Sequence, residues 1–394
     1  MPCNAFNTGV ALPGCIRRLL MKSETQVTHA PVKSCGIITL HTPDNYGAVL
    51  QAYALQTSIG QLGFKAEIVD HGLHAKVPSR RSQLARFRKP HRALFSILHH
   101  GALKRRHERF LKFRQTYFKL TKPSITIDGL RSNSHPHDVL ICGSDQIWNP
   151  LRHEFQHEYF LQFGDASATR VAYAPSFGTA EVPTARLPQL KELVSGIDYL
   201  SCRESSGASL LADLTGRQVE TVVDPTLLLP PNHWRELAEL PGYAYQPYIL
   251  VYCLDNSKAV LDSVRIISKK LSLPVVCIQP DVLPSGLTGA KVVRDASPEQ
   301  FLGLVANARM VVTNSFHGAI FSLVFQRPLY SPLHRSSNER LRHLFSIAGA
   351  DTAQDLGSTI ARIEEPIHYP SVNERLSDAA VCSLAYLERA ITGK

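Results

Sequence analysis

Residues 310–325, M-V-V-T-N-S-F-H-G-A-I-F-S-L-V-F, set an imidazole where one apolar run breaks at a polar cluster and a second begins. The first run reads as a buried strand and the second as a buried helix. Asn314 and Ser315 suit the start of a helix as capping residues, and Gly318 lets another group come close to the backbone. His317 then falls at a helix N-terminus, where free N–H groups and the positive end of the helix dipole attract a phosphate or carboxylate. A titratable group beside an anion site suits proton transfer. The plainer alternative is a histidine that donates to backbone at a helix start. Ser315 and Gly318 at the end of a buried strand favour chemistry.

Other polar clusters also follow apolar runs. Residues 41–55, H-T-P-D-N-Y-G-A-V-L-Q-A-Y-A-L, offer Asp44 or Asn45 as a cap and Gly47 as a bare first turn. Asn45, Tyr46 and Gly47 form either a substrate loop or a plain cap, and the G-x-G-x-x-G dinucleotide fingerprint is absent. In residues 143–150, G-S-D-Q-I-W-N-P, Asp145 is a candidate base at a cleft edge. Trp148 is either a wall for a sugar ring or a packed turn residue. Arg203, in S-C-R-E, can hold a carboxylate or phosphate by paired hydrogen bonds, or simply pair with Glu204. Asp224-Pro225 reads as a turn. Asn338 is a candidate helix cap that puts Arg340 in the first turn of the next helix.

These clusters need a frame that delivers strand ends to one place. Short apolar runs alternate with longer amphipathic ones, which predicts strands over 35–40, 66–70, 138–142, 170–174, 199–203 and 219–223. Chain punctuators crowd residues 230–247. Beyond them the pattern predicts a strand over 248–254, a helix over 258–271, a strand over 274–279, a helix over 298–308, the His317 unit, and a helix from Asn338. The fold class is α/β, with two doubly wound Rossmann-like domains facing a cleft, and ligands are expected outside the carboxyl ends of the strands. Residues 1–34 are expected to be a disordered lead. An N-terminal domain then covers 35–230 with a basic helical insertion over 73–122, a C-terminal domain covers 247–371, and a terminal helix over 372–394 packs back.

The formal charge of +10 is concentrated. Between Arg80 and Arg114 twelve Lys/Arg face one acid, Glu108, and the rest of the chain is close to neutral. Phenylalanines and leucines interleave with these cations, as in amphipathic helices. The stretch is a solvated basic face, or a contact for an anionic substrate or membrane surface. No nucleic-acid-binding motif accompanies it. Eight cysteines without a C-x-x-C pair point to a reducing cytoplasm, without disulfides or a metal centre. No apolar run reaches membrane-spanning length, and the first 34 residues carry no secretory apolar stretch.

Taken in order, N-Y-G-A-V-L-Q-A-Y-A-L, G-S-D-Q-I-W-N, Y-A-P-S-F-G, S-C-R-E, D-P-T-L-L, N-S-F-H-G-A-I-F-S and N-E-R-L resemble the polysaccharide pyruvyl transferase family over most of the chain. The resemblance implies a GT-B-like fold and transfer of the pyruvyl group of phosphoenolpyruvate to sugar hydroxyls of an exopolysaccharide or cell-surface glycan. It implies phosphoenolpyruvate as donor substrate with no further cofactor, and a glycan or lipid-linked oligosaccharide as acceptor. The family's functional histidine matches His317, and its anion-binding arginines match Arg203 and Arg340. Pro175 and the basic stretch depart from the family pattern and leave the acceptor open. The competing readings are a GT-B-type glycosyltransferase using a nucleotide sugar and a non-catalytic, membrane-associated assembly protein. The expected location is the cytoplasm, with peripheral contact at the inner face of the membrane.

Overall fold

Runs of Val, Ile, Leu and Cys with polar ends build two parallel sheets. The computed structural model describes residues 32–71, 99–124, 129–130, 136–151, 155–179, 181–242, 244, 247–254, 258–278, 287, 289–332, 339–350, 355–357 and 369–394. Asn338, Arg80 to Arg92 and nearly all of the expected lead lie outside these residues.

The first sheet contains β1 (Ser34–Ile38), β2 (Lys65–Ile68), β3 (Val139–Cys142) and β4 (Thr169–Ala172) in the order β2-β1-β3-β4. A parallel bridge between Val171 and Tyr199 links it to the short pair β5 (Ser201–Cys202) and β6 (Glu220–Thr221). The second sheet contains β7 (Ile249–Tyr252), β8 (Val275–Ile278), β9 (Lys291–Val293), β10 (Met310–Thr313) and β11 (Leu329–Tyr330), in the order β11-β10-β7-β8-β9. Residues of β3, β7, β8 and β10 are buried throughout, because helices cover both faces of each sheet. The winding reverses between β1 and β3 in one sheet and between β7 and β10 in the other. Those two switch points are where open parallel sheets bind ligands.

The helices are α1 (Tyr46–Gln61), α2 (His100–Tyr117), α3 (Leu187–Ser195), α4 (Ser205–Thr215), α5 (Pro231–Leu237), α6 (Lys258–Leu271), α7 (Pro298–Asn307), α8 (Phe316–Val324), α9 (Glu339–Ala348) and α10 (Tyr369–Thr392). Sequence periodicity misses β9, β11 and α5. The two strands are too short to show alternation, and α5 begins at Pro231, a residue tolerated in the first turn of a helix but read in sequence as a break.

One apolar core runs between the sheets. The Tyr46 ring stacks on Phe301 at 4.6 Å and meets Tyr252 edge-on at 5.8 Å, and Trp234 packs against Phe321. Such aromatic pairs contribute about 0.5–1.5 kcal/mol each beyond area burial. The α10 helix returns to the first sheet, where the Tyr386 hydroxyl donates to the Ala172 carbonyl at 3.0 Å and Ser383 Oγ accepts from Val223 N.

Candidate active site

Two strand-to-helix junctions meet between the sheets. At the end of β10, Ser315 is the extended cap of α8, and its hydroxyl accepts from Gly318 N. Thr313 Oγ1 accepts from Ser315 N at 3.1 Å and donates to the Tyr252 carbonyl, while Asn314 Oδ1 accepts from Leu254 N at 2.7 Å. Asn314 therefore ties β10 to the end of β7, and Ser315 alone caps. A Cβ on Gly318 would lie 2.4 Å from Thr313 Oγ1, so the close approach this glycine allows is to its own strand. All nine residues of α8 are buried, His317 included at 7% exposure.

The partner junction follows β1. The Asn45 side chain caps α1 by accepting from Ala48 N at 3.2 Å. A Cβ on Gly47 would fall 2.1 Å from His317 Nδ1, so only glycine lets the imidazole of the second sheet's helix lie against α1. The space at Gly47, open to a ligand in one of the two readings of this loop, is filled by a side chain of the protein. Tyr46 is likewise interior. It is 1% exposed, and its hydroxyl donates to the Ala296 carbonyl at 3.0 Å. The expectation that Tyr46 touches substrate is corrected: a first turn of Tyr, Gly, Ala and Val is too apolar to face water and closes on the other sheet.

Asp224, at 1% exposure, is the centre of the polar network beside His317. Its Oδ2 accepts from Arg203 Nη1 at 2.7 Å and Ser144 Oγ at 2.9 Å, and lies 3.5 Å from His317 Nε2. Its Oδ1 accepts from Thr226 N at 3.1 Å and Thr226 Oγ1 at 2.7 Å. Burial opposes ionisation of this carboxyl, yet the adjacent His317 and Arg203 with the Thr226 hydrogen bond outweigh it and hold its pKa far below the usual carboxylate range. Asp224-Pro225 reads in sequence as a turn. It is a turn, since Asp224 caps the 3-10 segment Pro225–Leu227, but the other carboxylate oxygen serves the site.

Arg203 is 2% exposed. Besides Asp224, its Nε lies 3.4 Å from Glu204 Oε1, which also accepts from Ser176 Oγ. Of the two readings of this arginine the pairing with Glu204 is present, and its Nη2 is buried with no hydrogen-bond partner among the described residues. The Arg203 guanidinium lies 4.3 Å from the centre of the Phe316 ring and that of Arg340 lies 5.8 Å from it. A small cavity lined by Arg203, Glu204, Asp224, Phe316, Arg340 and His343 opens between these groups. His343, which sequence reading did not single out, has its pKa pushed down chiefly by burial.

Two further candidates fall nearby. Asp145 adopts a positive φ of 77°, unusual outside glycine, and its Oδ1 accepts from Gln146 N at 2.8 Å. Its charge acts on Arg203, so it belongs to the same electrostatic neighbourhood. Trp148 does not form a sugar platform. It is fully buried, stacks on Phe160 at 4.9 Å, and donates its indole N–H to the Tyr159 carbonyl.

The described part of the basic stretch is engaged within the protein. On α2, Arg114 reaches Asp44 Oδ1 at 2.9 Å, His107 reaches Asp44 Oδ2 at 2.8 Å, and Arg106 donates to the Asp44 carbonyl. Arg105 reaches Asp295 Oδ2 at 2.8 Å, next to Arg109. The helix thereby ties the loop after β1 to the loop before α7. Lys104 and Lys112 remain on its exposed face. Among the described residues no helix is long and apolar enough to cross a membrane, and no group of three His, Cys, Asp or Glu is placed to hold a metal ion.

Two parallel sheets joined at their switch points define a two-domain Rossmann-like architecture of the GT-B kind. UDP-GlcNAc 2-epimerase from Neisseria meningitidis, solved with UDP-GlcNAc, shares it at 10% identity and a TM-score of 0.52, over 92% of this chain and 100% of that one. An alpha-glucosyltransferase solved with UDP and DNA shares it at 11% identity and a TM-score of 0.51, over 90% and 95%. No curated protein sequence matches significantly. Residues 45–331 match the model of the polysaccharide pyruvyl transferase family, and the chain belongs to that family. The matched span holds both junctions, Arg203 and Asp224, and ends before Arg340.

Proposed function

We propose that the protein moves the pyruvyl group of phosphoenolpyruvate onto hydroxyls of a sugar in an exopolysaccharide or cell-surface glycan, closing a pyruvate ketal. The observation that carries this reading is the imidazole of His317, presented from a capped helix start against the bare Gly47 of the other domain, with Arg203 and Arg340 around the adjacent Phe316 ring. Phosphoenolpyruvate is a compact polyanion, which suits arginines and a helix N-terminus.

The chemistry needs a proton on carbon. His317, as imidazolium, gives its proton to the methylene carbon, whose double-bond electron pair forms the new C–H bond and leaves C2 electrophilic. A sugar hydroxyl adds to C2 while Asp145 takes its proton. Phosphate then departs with the C–O electron pair and takes up the proton held by Asp145, and a second hydroxyl closes the ketal and returns its proton to His317, which resets both side chains. We place the reaction in the cytoplasm, with the positive charge of residues 80–92 drawn to an anionic membrane that carries lipid-linked acceptors.

The test is phosphate release from phosphoenolpyruvate over a panel of free and lipid-linked glycans, beside ligand protection against thermal unfolding. A donor at about 100 times its Kd stabilises by about 2.7 kcal/mol. Protection by phosphoenolpyruvate and not by nucleotide sugars is expected. The reverse pattern favours a glycosyltransferase, and protection by neither favours an assembly role.

A further inference from the structure

We propose that Asp224 is the positioning residue of this site, holding His317 with Nε2 turned inward so that Nδ1 is the nitrogen presented to the reactants. The proposal takes its meaning from the reading of His317 as proton donor, but the arrangement stands on geometry alone.

The carboxylate is immobilised before it meets the imidazole. Thr226 occupies Oδ1 with both its N–H and its hydroxyl, and Arg203 and Ser144 occupy Oδ2. The same Oδ2 is the atom 3.5 Å from His317 Nε2, an ion-pair approach, and Nε2 is buried with no hydrogen bond to any other group among the described residues. A carboxylate facing one ring nitrogen fixes the proton there and selects the tautomer, as it does for metal-bound and catalytic histidines.

The other side of the ring is set by Gly47. The position a Cβ would take is 2.1 Å from Nδ1 and 2.6 Å from both Cγ and Cε1. Equal distances to the two ring neighbours, each not much longer than the distance to Nδ1, put that position over the ring face rather than in its plane. Gly47 therefore lies over one face of the imidazole and does not itself occupy the in-plane direction of Nδ1. In the neutral ring Nε2 carries its proton toward Asp224 and Nδ1 is bare. In the imidazolium the proton given up is the one on Nδ1.

The experiment is long-range proton–nitrogen NMR on the full chain labelled with 15N-histidine, at a pH where the ring is neutral, with the His317 signals identified by their loss in His317→Gln. Wild type is expected to show a protonated Nε2 and a bare Nδ1. Asp224→Asn, which cannot accept at both ends, is expected to shift the proton toward Nδ1 and to lower kcat by about 10²–10⁴-fold. A wild-type ring protonated on Nδ1 overturns the proposal, and so does an unchanged tautomer in a folded Asp224→Asn. If the Asn variant does not fold, the wild-type spectrum decides alone. The spectrum is read without donor or acceptor, so a wrong donor assignment leaves it intact and is detected separately by the phosphate-release assay.

Discussion

The junctions Asp44-Asn45-Tyr46-Gly47 and Asn314-Ser315-Phe316-His317-Gly318 use one local device to opposite ends. Each ends a parallel strand at a switch point and caps a helix with a short polar side chain, Asn45 on Ala48 N and Ser315 on Gly318 N. Each opens its helix with an aromatic residue. In α8 the second residue is an imidazole, whereas in α1 it is a glycine, and the imidazole fills the space the glycine leaves. One junction supplies an imidazole and the other a surface for it. A capped helix start at a strand end therefore identifies where a site lies without saying which side chain acts.

The largest effect on the pairing is expected from removing Asp224, which lies against the imidazole half. Asp224→Ala leaves Arg203 buried with Glu204 as its remaining carboxylate partner in the network. Removing one member of such a pair costs about 3–5 kcal/mol, which chemical denaturation measures. The same carboxylate gives a pH signature. Its folded pKa is depressed below the ordinary value of 3.8, so its contribution is fully present above that value and is lost as pH falls below it. The slope of stability against pH below about 4 should flatten in a folded Asp224→Asn, because its titrating group is gone. An unchanged slope would place the acid sensitivity elsewhere.

The receiving half is tested by Gly47→Ala. The added methyl forces the His317 ring aside, and a displacement on the order of 1 Å costs about 10²-fold in turnover. Overpacking should also lower stability by about 1–3 kcal/mol. Full activity in this variant would separate the two junctions functionally. Ser315→Ala removes a cap and should lower stability by about 1 kcal/mol in thermal unfolding, with a smaller effect on rate than Gly47→Ala. Asp295→Asn, which weakens the grip of α2 on the loop before α7, should change stability by less than about 1 kcal/mol because Arg105 is more than half exposed.

The frame of this site was legible in sequence, and its closure was not. Buried runs such as Val-Leu-Ile-Cys at 139–142 and Met-Val-Val-Thr at 310–313 announce parallel strands, and Asn45, Ser315 and the glycines announce the turns that end them. Local pattern cannot show what a side chain meets from a distant segment. Tyr46 and Trp148 carry polar handles that look suited to ligands, yet the handles go to the carbonyls of Ala296 and Tyr159. The α2 cations look like a free basic face, yet Asp44 and Asp295 lie on loops that are far away in sequence. Asp224 was the costliest miss. An Asp-Pro-Thr turn has a local explanation in the cap on Thr226, and the second oxygen's partners, Ser144, Arg203 and His317, are supplied only by the fold.

The proposed function rests on proton transfer by His317 in a phosphoenolpyruvate-dependent reaction. The direct measurement is the rate of phosphate release by His317→Gln against wild type, on an acceptor glycan that supports turnover. Gln keeps a hydrogen-bond donor at this position but cannot pass a proton on, and its similar volume leaves no large cavity where the buried imidazole sits. Release slowed by about 10²–10⁴-fold, with unfolding behaviour close to wild type, is expected. Release at a rate near that of wild type would contradict proton transfer by His317.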